Sequence, residues 1–147
     1  MKKKALILAV VLSTGITGSM VTFAKSNNTT KAAHASKTNS EVMTKEADGT
    51  YVVNTTTLAK DVRGFRGNTP LNIYIKNNKI VKIAPLANQE TPNFFNKVKQ
   101  GLLSKWYGMK ASKASTANVD GVTGATFSSK AVKENVKRGM KYYMAHK

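Results

Sequence analysis

Ten residues in the last third of the chain bring hydroxyl groups together with small neighbours: Asp120-Gly121-Val122-Thr123-Gly124-Ala125-Thr126-Phe127-Ser128-Ser129. Their pattern reads as a loop that ends in a hydroxyl residue just ahead of a helix. Two chemistries suit it. In one, Thr126 is a helix N-cap whose side-chain oxygen accepts an orphan backbone N–H of the first turn. In the other, the free N–H groups and the positive end of the helix dipole attract an anion such as phosphate, and Gly121, Gly124 and Ala125 leave room for a ligand to approach the backbone. The residues by themselves leave both open.

Other chemistries are excluded by what the chain lacks. With no cysteine there are no disulfides, thiolate nucleophiles, iron–sulfur ligands or CxxCH haem attachment. The two histidines, His34 in a polar stretch and His146 beside the last residue, give a metal site or a catalytic triad little to work with and read as surface residues. No acid–base pair suggests a substrate pocket, so no residue is assigned as catalytic or as a metal ligand.

The elements that must position the 120–129 segment follow from hydrophobic periodicity. Leu71, Ile73 and Ile75 alternate with polar positions, Asn77-Asn78 turns the chain, and Ile80, Val81 and Ile83 resume the apolar pattern, which predicts a β-hairpin. Ahead of it, Asp48-Gly49 is a turn before a strand at Tyr51-Val52-Val53, and a Gly-punctuated loop covers Arg63 to Asn68. Phe94, Phe95, Val98, Leu102, Leu103 and Trp106 fall at helical spacing, with Pro92 in the first turn and Gly108 as the stop, so a helix is predicted from Pro92 to about Tyr107. A last helix is predicted from about Phe127 to Ala145, with Ala131, Val132, Val136, Met140, Tyr143 and Met144 as its apolar stripe. The fold class is therefore α+β: a small antiparallel sheet with packed helices in one domain, residues 47–147.

Two segments precede that domain. Lys2, Lys3 and Lys4, the apolar run from Ala5 to Leu12, and the small residues of Thr22-Phe23-Ala24 read as a signal peptide over residues 1–24, cleaved after Ala24. The run is interrupted too early for the roughly 20 apolar residues of a spanning helix. Residues 25–46 are Ser, Asn, Thr, Lys and Ala with almost no large apolar side chain, which predicts a flexible, basic polar tether. The expected location is secreted or extracytoplasmic, associated with the cell envelope.

Charge bears on partners. The chain carries +17, and removal of the three leader lysines leaves 21 basic against 7 acidic residues, or +14. Such a surface attracts polyanions. The lysines are spread along the chain with no nucleic-acid motif, so anionic envelope polymers or lipids are expected as partners and nucleic acid is not.

Asp120-Gly-Val-Thr-Gly-Ala-Thr126 resembles the flavinylation motif of the FMN-binding domain family, which occurs in the flavin subunits of sodium-pumping NADH:quinone reductases and Rnf-type complexes and in exported bacterial flavoproteins. Asp48-Gly49-Thr50-Tyr51 resembles the family's opening, and Glu90-Thr91-Pro92 its Glu-Thr-Pro pocket segment, so the likeness runs from about Asp48 to Lys147. The sequence departs from the family in Thr123, often Ser, and in Asn93, often Gly. The resemblance implies covalent FMN, esterified through its phosphate to Thr126 by an FAD:protein FMN transferase that uses Mg²⁺. Asp120, Gly121, Thr123, Gly124, Ala125, Ser128 and Ser129 then surround the attachment point, Glu90, Thr91 and Pro92 line the pocket, and Trp106 is a candidate to stack on the ring, as are Tyr107, Phe94 and Phe95. The function implied is electron transfer at the envelope, fed by a membrane-bound donor. The rival readings are a non-catalytic basic envelope-binding module and a flavin reductase acting on a small acceptor.

Overall fold

The computed structural model describes residues 41–147. The expected signal peptide and most of the expected tether lie outside the described residues. Four strands form one antiparallel sheet in the order β1-β2-β3-β4: Met43–Lys45, Tyr51–Asn54, Leu71–Lys76 and Lys79–Pro85. Helix α1 spans Pro92–Gly101, a 3₁₀ turn spans Leu103–Trp106, α2 is the single turn Ala111–Ala114, and α3 is the long C-terminal helix Thr126–His146. The α+β reading holds.

Sheet and helices meet on one face. Period-2 alternation puts Leu71, Ile73 and Ile75 of β3 inward, together with Val53 of β2 and Ile80 and Ile83 of β4. Helix α3 lays Val132, Val136, Met140 and Tyr143 on that face, and α1 adds Phe95 and Val98. Asn77 and Asn78 both take positive φ, 50° and 61°, as the two-residue turn between right-twisted strands requires. Val81 does not continue the inward pattern of β4: a bulge opposite Tyr74 and Ile75 inserts one residue, and Val81 turns to solvent.

Two further expectations are corrected, and one element is new. Strand structure is already present before Ala47, because Met43–Lys45 pairs along β2 (Met43 with Val53, Lys45 with Tyr51) and Met43 packs on the core. Three residues carry too short a pattern to announce a strand; the free edge of β2 holds them. The helix expected to reach Tyr107 ends at Gly101, where the position of an added Cβ lies 3.3 Å from Val122 Cγ2 of the 120–125 loop. The chain then tightens into the 3₁₀ turn, in which residues three apart eclipse one another, and this brings both Leu103 and Trp106 into the core. Helix α2 has no counterpart in the sequence reading; its buried residues are two alanines, Ala111 and Ala114.

Polar groups also tie the layers. Asn135 sits inside the apolar stripe of α3, accepts a hydrogen bond from the Thr55 hydroxyl, and donates from Nδ2 to the Ala131 carbonyl at 2.9 Å. Thr55 Oγ1 in turn accepts the Leu71 N–H at 2.9 Å. Each buried group is thereby paired, as the low dielectric of a core demands. On the rim, Arg138 joins Asp61 Oδ2 at 2.9 Å and the Leu58 carbonyl at 3.1 Å, which clamps the 55–62 segment to α3. Asp48 receives the Lys76 ammonium at 2.8 Å and the Thr50 N–H at 2.9 Å; the lysine first and the N–H second hold its carboxyl down at about 2.

Gly139 sets how closely α3 approaches the sheet. A Cβ there would stand 2.7 Å from Ile73 Cδ1 and 3.2 Å from Thr55 Cγ2. The terminal methyl of Ile73 can rotate away, but the branched side chain of Val would still meet Thr55 and, at 3.7 Å, Val53 Cγ1. Gly139→Val is therefore expected to lower stability by about 2–3 kcal/mol through overpacking, read as a lower urea midpoint at unchanged slope. An unchanged midpoint would show that α3 can stand off from the sheet without loss.

Candidate functional site

The 120–125 loop is folded by its own backbone and one inward hydroxyl. Val122 N–H donates to Ser129 Oγ at 3.0 Å, and Ala125 N–H donates to the Val122 carbonyl at 3.0 Å, closing a turn that needs positive φ, +81°, at Gly124. The first α-type bond of α3 runs from Ser129 N–H to the Ala125 carbonyl, 2.9 Å, so Ala125 occupies the cap position and Thr126 is the first helical residue. This rules out the capping reading of the hydroxyl. Thr126 is not the N-cap. Its side chain is exposed and makes no hydrogen bond among the described residues.

The neighbouring hydroxyls are differently placed. Ser128 and Ser129 are both buried, Ser129 accepting from Val122 and Ser128 donating to Glu90 Oε2. Asp120, Gly121 and Thr123 are exposed on the loop, and the Asp120 carbonyl accepts the Lys105 ammonium at 3.2 Å.

Glu90 gathers three segments. It is 7% exposed. Oε1 accepts the Arg66 N–H at 2.9 Å, Oε2 accepts from Ser128, and its own N–H donates to Asn88 Oδ1 at 3.1 Å. Gly64 lies so close over the carboxyl that a Cβ would fall 2.6 Å from Oε1. Thr91 is the residue before α1, and its carbonyl accepts the N–H groups of Phe94 at 3.1 Å and Phe95 at 2.9 Å, while Pro92 fills the first helical position, where its missing N–H costs nothing. The Glu-Thr-Pro segment thus links the 63–68 loop, the start of α1 and the start of α3.

Two clefts flank Thr126. One, of about 290 Å³, is lined by Phe65, Phe94 and Phe127 together with Gly124, Ala125, Thr126 and Ser128. The Phe65 and Phe127 rings stand 6.4 Å apart at 41°, and each is 63% exposed, which is unusual for so large an apolar surface unless something covers it. The other, of about 270 Å³, is lined by Gly121, Val122, Thr123, Ser129, Lys130 and Lys133, again with Thr126. No acidic side chain lines either cleft. One hydroxyl therefore stands between an aromatic recess and a cationic one.

Several sequence candidates are brought together here, Gly124, Ala125, Thr126, Ser128 and Phe94 in the aromatic cleft and Gly121, Thr123 and Ser129 in the cationic one. Trp106 is not among them. It is 1% exposed in the hydrophobic core, where no ring can stack on it, and its Nε1 has no hydrogen-bond partner among the described residues. Phe95 is likewise a core residue, and Tyr107 is exposed but lines neither cleft. Sequence reasoning missed Phe65, Phe127, Gly64, Lys130 and Lys133. Phe127 had a signal, since it is an aromatic lying off the apolar stripe of its helix; Phe65, in a loop rich in Gly, had a weaker one.

The site suits a ligand with a flat apolar ring and a phosphate. Opposed phenyl rings offer offset or edge contacts to the ring, the lysines and the start of α3 favour the anion, and the aromatic cleft is near the lower end of the roughly 300–1,000 Å³ usual for small-molecule sites. Among the described residues no cluster of His, Asp and Glu gathers to hold a metal. A family model for the FMN-binding domain matches residues 64–141, from the glycine over Glu90 through most of α3. No curated protein and no solved structure matches. The match covers more than half of the chain and takes in Phe65, Glu90, the 120–126 loop and both clefts: the protein belongs to the FMN-binding domain family and is a flavin-binding protein.

Proposed function

We propose that this flavoprotein is an exported electron carrier of the cell envelope and that its FMN is held covalently, through a phosphoester to Thr126 Oγ1. The observation that carries this reading is the state of that hydroxyl: exposed, without a hydrogen bond, one residue inside the helix, and shared by the aromatic and the cationic cleft. A threonine hydroxyl is a poor nucleophile at neutral pH, so the activating base belongs to a transferase and this chain has only to present the group. In the attachment, Thr126 Oγ1 forms a bond to the FMN phosphorus of FAD, the pyrophosphate P–O bond breaks, AMP leaves, and the hydroxyl proton passes to the transferase.

When bound, FMN supplies one- and two-electron chemistry of its own. The chain's residues hold and shield it. Lys130 and Lys133 balance the phosphodiester charge, and Phe65, Phe94 and Phe127 exclude water from the ring. No carboxyl or imidazole lines either cleft, which favours a carrier over a reductase with its own proton donor. The basic surface is assigned to docking with a membrane-bound donor and to retention by anionic envelope polymers or lipids. Intact mass of protein made with an FAD:protein FMN transferase tests the reading: one FMN phosphoryl adduct per chain that survives denaturation is expected. A flavin released completely by denaturant would leave a non-covalent flavoprotein and overturn the phosphoester.

A further inference from the structure

A third cleft, of about 520 Å³, lies farther along α3 and is larger than either of those at Thr126. Three segments form it: Val62 and Arg63 at the start of the 63–68 loop, the stretch 115–118 after α2, and the face of α3 that carries Lys130, Lys133 and Lys137. Its charge is one-sided. Four cations line it against a single carboxyl, Glu134, and that carboxyl is already engaged by Arg138 at 3.0 Å and by Lys137 at 3.7 Å. Arg63, Lys130 and Lys133 form no ion pair among the described residues, whereas Asp61 is paired with Arg138. Like charges on one concave wall repel one another, and low-dielectric walls focus their field inward.

The walls also say what size of anion fits. No aromatic anchor of the kind that marks a protein-docking face lines the cleft. Val62, Ala117 and Ala131 make a small apolar patch, and Thr116 and Asn118 place exposed polar groups beside it. We propose that this cleft is a binding site for a small polyanion bearing two or more phosphate or carboxylate groups. Such a ligand can engage Arg63 and the α3 lysines with separate anionic groups. Lys130 and Lys133 also line the cationic cleft at Thr126, so the test turns on Arg63 and Lys137, which line this cleft and neither of those at Thr126.

Calorimetric titration of the full chain, made without transferase and held at constant ionic strength, tests it with tripolyphosphate and citrate in separate arms. One saturable site per chain is expected for at least one of the two, and the tighter arm tells phosphate from carboxylate as the preferred group. The double variant Arg63→Gln/Lys137→Gln should weaken that binding about tenfold, the sum of two partly exposed charge contacts. A control, Lys45→Gln/Lys82→Gln, removes the same charge from the sheet, where these lysines lie over Tyr51 and Tyr74; it should leave the affinity within about twofold. Equal weakening by the two double variants, or uptake of several anions without saturation, would mean that the ligand responds only to diffuse charge and would overturn the site. So would the absence of binding in both arms.

Discussion

Protein carrying Thr126→Ala, made together with a flavin transferase and FAD, is expected to have no FMN adduct and no flavin band after denaturation. The expectation is all-or-none because the other hydroxyls of the segment cannot take over. Ser128 and Ser129 are buried and spend their oxygens on Glu90 and on the Val122 N–H. Thr123 is exposed, but it lines only the cationic cleft and not the cleft of the three phenylalanines. Thr123→Ala should therefore keep the adduct, and Thr126→Ser should keep it as well, since the nucleophilic oxygen is retained. Because Thr126 forms no hydrogen bond and is exposed, its replacement by Ala should change stability by no more than about 0.5 kcal/mol. A full adduct on folded Thr126→Ala protein, located by mass mapping to another residue, would sink the assignment.

How much of this was legible in the sequence depends on the range of the interaction. The hairpin was readable because its signals are local: Leu71, Ile73 and Ile75 repeat every two residues, and Asn77-Asn78 suits positive φ. The stripe of α3 was readable for the same reason at a period near 3.6. The loop motif was readable as a string that singled out Thr126, yet the string could not tell a capping hydroxyl from an exposed, uncapped one. That distinction depends on where the first helical hydrogen bond falls, one residue earlier than the hydroxyl suggested. What was hidden is long-range and aperiodic. Phe65 meets Phe127 across the fold, Glu90 meets Ser128 over 38 residues and the Arg66 backbone over 24, and Asn135 meets Thr55 over 80. Trp106 misled because an aromatic at helical spacing near a ligand loop fits a pocket wall and a core equally well; only the 3₁₀ turn, which rotates it inward with Leu103, separates the two.

Glu90→Ala is expected to cost about 3 kcal/mol of stability and to disassemble the aromatic cleft while the sheet remains folded. Among the described residues the carboxyl is the only group that hydrogen-bonds both the Arg66 backbone and the first turn of α3, so its loss strands the Ser128 hydroxyl inside the protein and frees the Arg66 N–H. An unsatisfied buried partner costs about 1–3 kcal/mol, and the cavity left by the missing side chain adds to it. Function should suffer beyond stability, because Phe65 rides on the loop that Glu90 holds and Phe127 on the turn next to Ser128. Glu90→Gln separates the two effects: its amide oxygen can still accept one bond, but its NH₂ group meets a second donor, and an intermediate loss of about 1–2 kcal/mol is expected. Gly64→Ala approaches the same contact from the other side, since its Cβ would stand 2.6 Å from Glu90 Oε1 and must displace the carboxyl or the loop. Urea unfolding gives the stability order, wild type above Glu90→Gln above Glu90→Ala. Flavin fluorescence of the loaded proteins gives the cleft, with emission rising in Glu90→Ala as Phe65 and Phe127 lose their hold on the ring. If Glu90→Ala proved as stable as wild type with unchanged emission, Glu90 would not be the element that joins loop to helix, and Phe65 would have to be held in place by its contact with Phe127 alone.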